Sequence, residues 1–212
     1  MSQPPDRQPA GAPVQWSLLV DGSALFFGQR AVSPDRSLNY LELNSLLRSR
    51  VGSSLTPKPA FFFTAADEAN EKQQKFHHLI SDLGWSVRQV PPHEASVSNP
   101  LLAPQDVRLI RFDAMIAYCL GSLWQREELH DIFVISDSWP LAGPVRDCVL
   151  RGKKITVVFF GQVIDTRWHR VFRESEAEGR PLSFLDLDMF LAKLFDRSRP
   201  SRRREEDVLD LQ

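Results

Sequence analysis

Three aspartates occupy positions that suit metal chemistry. Asp21 closes the apolar run 16–21 (WSLLVD), and Asp137 directly follows the largely apolar run 131–136 (DIFVIS). Asp113 opens a segment with helical spacing. Carboxylate oxygens are ligands that Mg²⁺ prefers, and one or two such ions can generate hydroxide and neutralise charge on a scissile phosphodiester. The three acids therefore predict a site that binds a divalent metal ion and hydrolyses phosphodiester bonds.

Each of these acids also has a structural interpretation. An Asp that follows a strand is often a turn residue. Asp113 is also suited to cap a helix N-terminus, a role worth about 1 kcal/mol. The position of the acids favours a functional site, because functional groups collect at the edge of a parallel sheet where its strands end.

The elements that must position these acids alternate along the chain. Short apolar runs predict strands, and segments with apolar residues at helical spacing predict helices. The predicted strands are 16–21, 60–64, 85–90, 131–136 and 155–161, and the predicted helices are 39–51, 69–83, 112–129, 141–150 and 183–195. Strands that are apolar on both faces and separated by helices predict a three-layer α/β fold, Rossmann-like, with a central, mainly parallel sheet.

Composition excludes several classes of protein. The chain has 212 residues, with 26 basic and 27 acidic side chains, so its net charge of −1 argues against a globally basic polymer binder. Cys119 and Cys148 have no partner at Cys-x-x-Cys spacing, which argues against a disulfide scaffold and a thiolate zinc site and suits the cytoplasm. No apolar run approaches the ~20 residues of a membrane helix, so no membrane association is expected.

The ends of the chain differ in composition from its middle. Residues 1–15 are rich in proline and predict a disordered leader, and residues 16–196 predict one domain. Residues 197–212 carry five arginines followed by four acids, which predicts a disordered charged tail. The alternative interpretation of this tail is that its arginines contact a nucleic-acid backbone. Within the domain, Lys153 and Lys154 precede the last predicted strand and are expected in solvent.

Four segments together resemble a known family. They are 18–26 (LLVDGSALF), 111–120 (RFDAMIAYCL), 131–138 (DIFVISDS) and 151–161 (RGKKITVVFFG). In order and approximate spacing they resemble NYN domains, which are PIN-like nucleases of the Rossmann-like kind. The resemblance implies Mg²⁺- or Mn²⁺-dependent cleavage of RNA. It also implies that Asp21, Asp113 and Asp137 are both the metal ligands and the catalytic acids.

Three positions depart from the family pattern. The Asn of its Asp-x-x-Asn motif falls on Ala24, although the adjacent Ser23 offers an oxygen. The second Asp of its turn after the fourth strand falls on or near Trp139, and Ser136 replaces a glycine. Fewer ligands mean weaker metal binding. The alternative hypothesis is therefore a catalytically inactive NYN-like domain that binds RNA or a protein, either a different one or a second copy of the chain.

Five residues near the acids are candidates for binding the substrate: Ser23, Arg108, Arg111, Ser138 and Trp139. The arginines flank the approach to Asp113 and either hold a phosphate backbone or balance the acids. Trp139 either stacks on a base, worth ~1–3 kcal/mol, or caps the edge of the sheet. No Gly-x-Gly-x-x-Gly, Walker A or Gly-x-Ser-x-Gly sequence is present, which argues against nucleotide-binding and serine-hydrolase functions.

Overall fold

A sheet of six parallel strands forms the centre of the fold. The structure, a computed structural model, describes residues 15–52, 56–65, 70–90 and 112–195. Within them the strands are β1 (Gln15–Asp21), β2 (Ala60–Ala65), β3 (Ser86–Val90), β4 (Leu129–Ile135), β5 (Lys154–Phe159) and β6 (Leu182–Asp186). Their order in the sheet is β3-β2-β1-β4-β5-β6, and every neighbouring pair is parallel. The expectation of a mainly parallel sheet is confirmed.

Helices flank this sheet. They are α1 (Gly22–Val32), α2 (Tyr40–Val51), α3 (Glu71–Asp82), α4 (Asp113–Leu123), α5 (Ala142–Leu150), α6 (Arg167–Ala177) and the short α7 (Leu191–Leu194). Short 3₁₀ helices span Trp139–Leu141 and Leu187–Phe190. From Trp16 onward β1 is wholly buried, and β5 is buried after Lys154. Strands buried in this way have both faces covered, which confirms the three-layer α/β architecture.

The core is built on the central strands. Leu18, Leu19 and Val20 of β1 are completely buried, and Trp16 packs edge-on against Phe133 of β4 with ring centroids 5.5 Å apart. Burial of each large apolar side chain contributes roughly 1.5–3 kcal/mol. This packing fixes β1 against β4 and so fixes the relative positions of their carboxyl ends.

The strand order reverses between β1 and β4. The chain leaves β1 towards β2 on one side and leaves β4 towards β5 on the other. In open parallel sheets the two diverging connections leave a crevice beyond the carboxyl ends of such a strand pair, and ligands bind there. Asp21 ends β1 and Asp137 follows β4, so the fold places both acids at this reversal.

The C-terminal part of the domain corrects one sequence prediction. A helix over 183–195 is wrong, because the chain forms β6, the 3₁₀ helix and α7 there. Pairing with β5 runs from Ile155 opposite Leu182 to Phe159 opposite Asp186. Without β6, the backbone N–H and C=O groups on this side of the buried strand β5 would lack hydrogen-bond partners. The need for these partners outweighs the helical pattern of the sequence.

Other element boundaries also differ from the predictions. The helix expected over 112–129 ends at Leu123, and Leu129 already belongs to β4. The helices α1 and α6 were not predicted. Gln15, assigned to the leader, is the first residue of β1, while the rest of the leader and residues from 196 onward lie outside the described residues. In the part of the chain that the structure describes, no helix is long and apolar enough to cross a membrane.

Candidate functional site

Asp21 lies at the junction of β1 and α1 and is almost fully buried, with 1% of its surface exposed. Its Oδ1 accepts a hydrogen bond of 2.9 Å from the backbone N–H of Ala24, which makes Asp21 the N-cap of α1. The helix begins directly after it because Gly22 has no side chain. A Cβ there would lie 2.6 Å from Cε1 of Phe62 and 2.6 Å from the carbonyl oxygen of Phe63.

Burial raises the pKa of Asp21 to about 7. The hydrogen bond from Ala24 lowers it, the negative charges of Asp113 and Asp137 raise it further, and a hydrogen bond from the backbone of Phe112 lowers it slightly. A charged cap at a helix N-terminus normally has a depressed pKa, because the helix dipole and the N–H groups favour the anion. The raised pKa therefore reports burial among other acids, an environment typical of functional sites.

The turn after β4 carries Asp137 between two serines. Oγ of Ser136 accepts a hydrogen bond of 3.2 Å from the backbone N–H of Ser138, which closes the turn. Asp137 is partly exposed. Ser138 is 2% exposed, and its Oγ is buried with no hydrogen-bond partner among the residues that the structure describes. An unpaired buried hydroxyl costs free energy, so it needs an explanation.

Asp113 approaches Asp21 from the start of α4. The preceding residue, Phe112, is buried and stacks on Phe63 with ring centroids 6.2 Å apart, which fixes the first turn of the helix. Oδ1 of Asp113 is buried and has no hydrogen-bond partner within the described ranges. Its charge acts on Asp21 strongly enough to raise the pKa of that carboxyl.

A pocket of about 200 Å³ opens beside Asp21 and Asp137, and Asp113 is not among the residues that line it. Asp21, Ser23, Asp137 and Ser138 supply its polar lining. The remaining lining is apolar and comes from α1 and from the chain at and after the end of β5, namely Ala24, Phe27, Gly28, Ala31, Phe159 and Val163. The pocket thus joins a carboxylate end to an apolar end at the reversal between β1 and β4.

The donor atoms of the site suit a hard divalent cation. They are all oxygens, and the buried Oδ1 of Asp113 has no hydrogen-bond partner among the described residues. Burial raises the pKa of Asp21 most, and repulsion by Asp113 and Asp137 raises it further. A cation relieves such repulsion and favours the ionised carboxylates. Among residues 15–52, 56–65, 70–90 and 112–195, however, no group of three or more His, Cys, Asp or Glu side chains is arranged to hold a metal ion. Binding would therefore require the carboxylates to draw together.

The other candidate residues have different surroundings. The indole of Trp139 packs edge-on against Trp168 of α6 with ring centroids 6.1 Å apart, and the guanidinium of Arg167 lies 4.9 Å from its ring centre. These contacts hold the indole of Trp139 against α6. Arg108 and Arg111 lie outside the described residues.

The apolar half of the pocket was missed by sequence reasoning. It depends on α1, which was not predicted because the helix follows β1 without an intervening loop. A usable signal was present, since the small residues Ala24, Gly28 and Ala31 recur at helical spacing directly after Asp21. They predict a helix face that leaves room beside the first acid.

Comparisons with known proteins relate this chain to others by fold. No protein-family model matches the sequence, and no curated protein matches it. A crystal structure of a protein of unknown function from Vibrio parahaemolyticus is similar, with a TM-score of 0.65 and 15% sequence identity. The match covers 85% of this chain and 97% of that chain. At this identity the likeness establishes the shared fold, and any activity has to be argued from the site.

Proposed function

We propose that the protein is a metal-dependent ribonuclease in which Asp21, Asp113 and Asp137 hold Mg²⁺ or Mn²⁺. The observation that carries the proposal is the environment of Asp21. This carboxyl lies at the strand reversal, where burial raises its pKa most and the negative charges of Asp113 and Asp137 raise it further. A fold alone has no need to gather negative charge around a buried acid, whereas a site for a cation does.

The same geometry argues against binding of a dinucleotide. The strand order β3-β2-β1-β4-β5-β6 is also that of dinucleotide-binding domains, where the pyrophosphate lies on the N-terminus of the first helix. Here a carboxylate oxygen of Asp21 already accepts from Ala24 at that N-terminus. A phosphate placed there would meet a carboxylate, so a phosphate near this edge needs a bridging cation.

The bound ion would supply an activated water and neutralise charge on the scissile phosphate. The side chains of this protein would hold the ion and orient the phosphodiester. Asp21 is held in a fixed direction by the Ala24 N–H, and Asp137 lies at the partly exposed rim where a phosphodiester can enter. Ser23 and Ser138 would contact the substrate from the same pocket.

The test is cleavage of labelled RNA, single-stranded and structured, with millimolar Mn²⁺. Asp137→Asn is expected to abolish cleavage while the fold is retained, because the change is nearly isosteric but removes a charge from the site. Asp82→Asn, at the exposed C-terminal residue of α3, is the matched control and should cleave like the wild type. Equal cleavage by Asp137→Asn and the wild type would reject these acids as the catalytic centre.

A non-catalytic module that binds RNA or a protein is the second candidate. It is favoured by Ala24 and Trp139 at positions where the family has polar ligands, and by the lack of a preassembled metal-binding group among the described residues. On this alternative neither RNA substrate is cleaved, and Asp137→Asn leaves binding unchanged. Circular dichroism of each variant confirms that the fold is intact in every comparison.

A further inference from the structure

We infer that the pocket beside the acids receives one unstacked nucleobase of an RNA strand. The inference rests on the proposed function, in that the phosphate next to this base would lie at Asp21 and Asp137. It goes further by assigning a base-binding role to Phe27 and Ser138. It also implies that the substrate is unpaired at the position that enters the pocket.

The size of the pocket limits what can enter. Pockets for drug-sized ligands measure roughly 300–1,000 Å³, and this one measures about 200 Å³. It therefore suits one flat ring system better than a whole nucleotide or a larger metabolite. Since Asp21 and Asp137 line one end, the group that enters the pocket must not be an anion, and a nucleobase meets both conditions.

Phe27 provides an aromatic wall for such a base. Its side chain lies on α1, lines the pocket and leaves 39% of its surface exposed. The ring of Phe26 braces it edge-on, with centroids 5.4 Å apart. An exposed aromatic ring at the rim of a pocket is a stacking platform for a base, and such stacking tolerates every base identity.

Ser138 provides a buried, uncharged polar contact in the pocket. Its hydroxyl is buried, lines the pocket and has no hydrogen-bond partner in the described part of the chain. A base offers donors and acceptors along its edge, so its entry would pair this hydroxyl. Arg30, on the same helix with its guanidinium 5.3 Å from the ring centre of Phe26, places a positive charge on this surface for the neighbouring backbone.

The test measures RNA binding without cleavage. Fluorescence anisotropy of labelled oligoadenylate and oligouridylate, with Ca²⁺ in place of Mn²⁺ as the cation that bridges phosphate and carboxylate, gives the affinity of the wild type and of the Phe27→Ala variant. Loss of one stacked base is expected to weaken binding roughly 5- to 150-fold. Tyr118→Ala is the control, because this exposed aromatic side chain on α4 does not line the pocket and should change affinity far less.

A second variant fills the pocket instead of removing its wall. Ala31 is exposed on α1 and lines the pocket, so Ala31→Leu narrows it without touching the acids. It should weaken binding of single strands as Phe27→Ala does. Duplex RNA of the same sequence should bind equally to all variants, since its bases remain stacked.

The outcomes separate this inference from the proposed function. Wild-type affinity in both Phe27→Ala and Ala31→Leu overturns the base pocket, even if RNA is cleaved with Mn²⁺. Affinity that depends on Phe27 and Ala31 supports the pocket, even if no cleavage is seen and the nuclease proposal fails. Equal weakening by Tyr118→Ala and Phe27→Ala also overturns it, because the effect then does not depend on the pocket.

Discussion

Oδ1 of Asp21 accepts a hydrogen bond of 2.9 Å from the backbone N–H of Ala24. By itself this contact describes an ordinary N-cap, the structural interpretation open for any Asp that follows a strand. The pKa of Asp21, raised to about 7 chiefly by burial, separates the two interpretations. A residue kept only as a cap would be served as well by Asn or Ser, without the cost of burying a carboxylate among other acids.

The first prediction concerns the pH dependence of stability. Asp21 has a folded pKa of about 7 against 3.8 as a free side chain, so the native state binds the proton more tightly. The stabilisation that comes from this tighter binding of the proton is complete below about pH 4 and is lost as the pH rises to about 7. In metal-free buffer, Asp21→Asn should therefore be more stable than the wild type at pH 8, by on the order of 4 kcal/mol, with a much smaller difference at pH 4.

Urea unfolding in EDTA at pH 4, 6 and 8 measures this difference. Asn keeps an oxygen for the Ala24 N–H, so loss of the cap does not mask the effect. Asp82→Asn, at an exposed position, should show the pH dependence of the wild type. If Asp21→Asn were less stable than the wild type at pH 8, the carboxylate would be stabilising and the raised pKa would be wrong.

The second prediction concerns divalent cations. If Asp21, Asp113 and Asp137 hold Mn²⁺, the ion binds the folded state and raises the melting temperature. The stabilisation is about 2.7 kcal/mol at a hundred times the dissociation constant. Asp137→Asn should abolish the shift, and Asp82→Asn should retain it. An unshifted wild-type melting curve at millimolar Mn²⁺ would favour the non-catalytic module.

The positions of two acids of this site can be predicted from the sequence, because these acids lie at the ends of strands. The runs WSLLVD and DIFVIS identify β1 and β4, and a parallel sheet aligns their carboxyl ends, so Asp21 and Asp137 were placed correctly at one edge. The distance between them across the reversal depends on strand order. Strand order is set by which apolar faces pack together, and local pattern does not encode it.

Other parts could not be predicted because tertiary contacts override local preference. Residues 183–195 have helical spacing, yet β6 forms there because the open edge of β5 needs partners. Lys153 was expected in solvent and is 6% exposed, whereas Lys154 is exposed as expected. A lysine is buried only where its ammonium has hydrogen-bond acceptors. Here the acceptors are carbonyl oxygens more than 20 residues earlier in the chain, which the local sequence does not reveal.

The third prediction concerns the close approach of α1 to β5. A Cβ at Gly28 would lie 2.6 Å from Cζ of Phe159, a ring that is itself buried. Gly28→Ala should therefore destabilise the protein by about 1–3 kcal/mol through overpacking. Gly121→Ala is the control, because it also lies within a helix but has open space, and it should stabilise by about 0.5–1 kcal/mol. Equal effects of the two variants in urea unfolding would contradict the close contact.

The last prediction concerns the buried ammonium of Lys153. Nζ donates hydrogen bonds to the backbone carbonyls of Leu129, at 2.7 Å, and Arg126, and so ties the turn before β4 to the start of β5. Lys153→Met keeps the apolar stem but leaves these carbonyls without their donor, which should cost about 1–3 kcal/mol.

Lys193→Met is the matched control. Its ion pair with Glu42 is exposed at both ends, so its loss should cost at most about 1 kcal/mol. Urea unfolding of the two variants measures the difference, and it should persist at high salt, because hydrogen bonds to buried carbonyls are screened far less than an exposed ion pair. Equal stability of Lys153→Met and Lys193→Met would show that the Lys153 ammonium contributes no more than a surface charge.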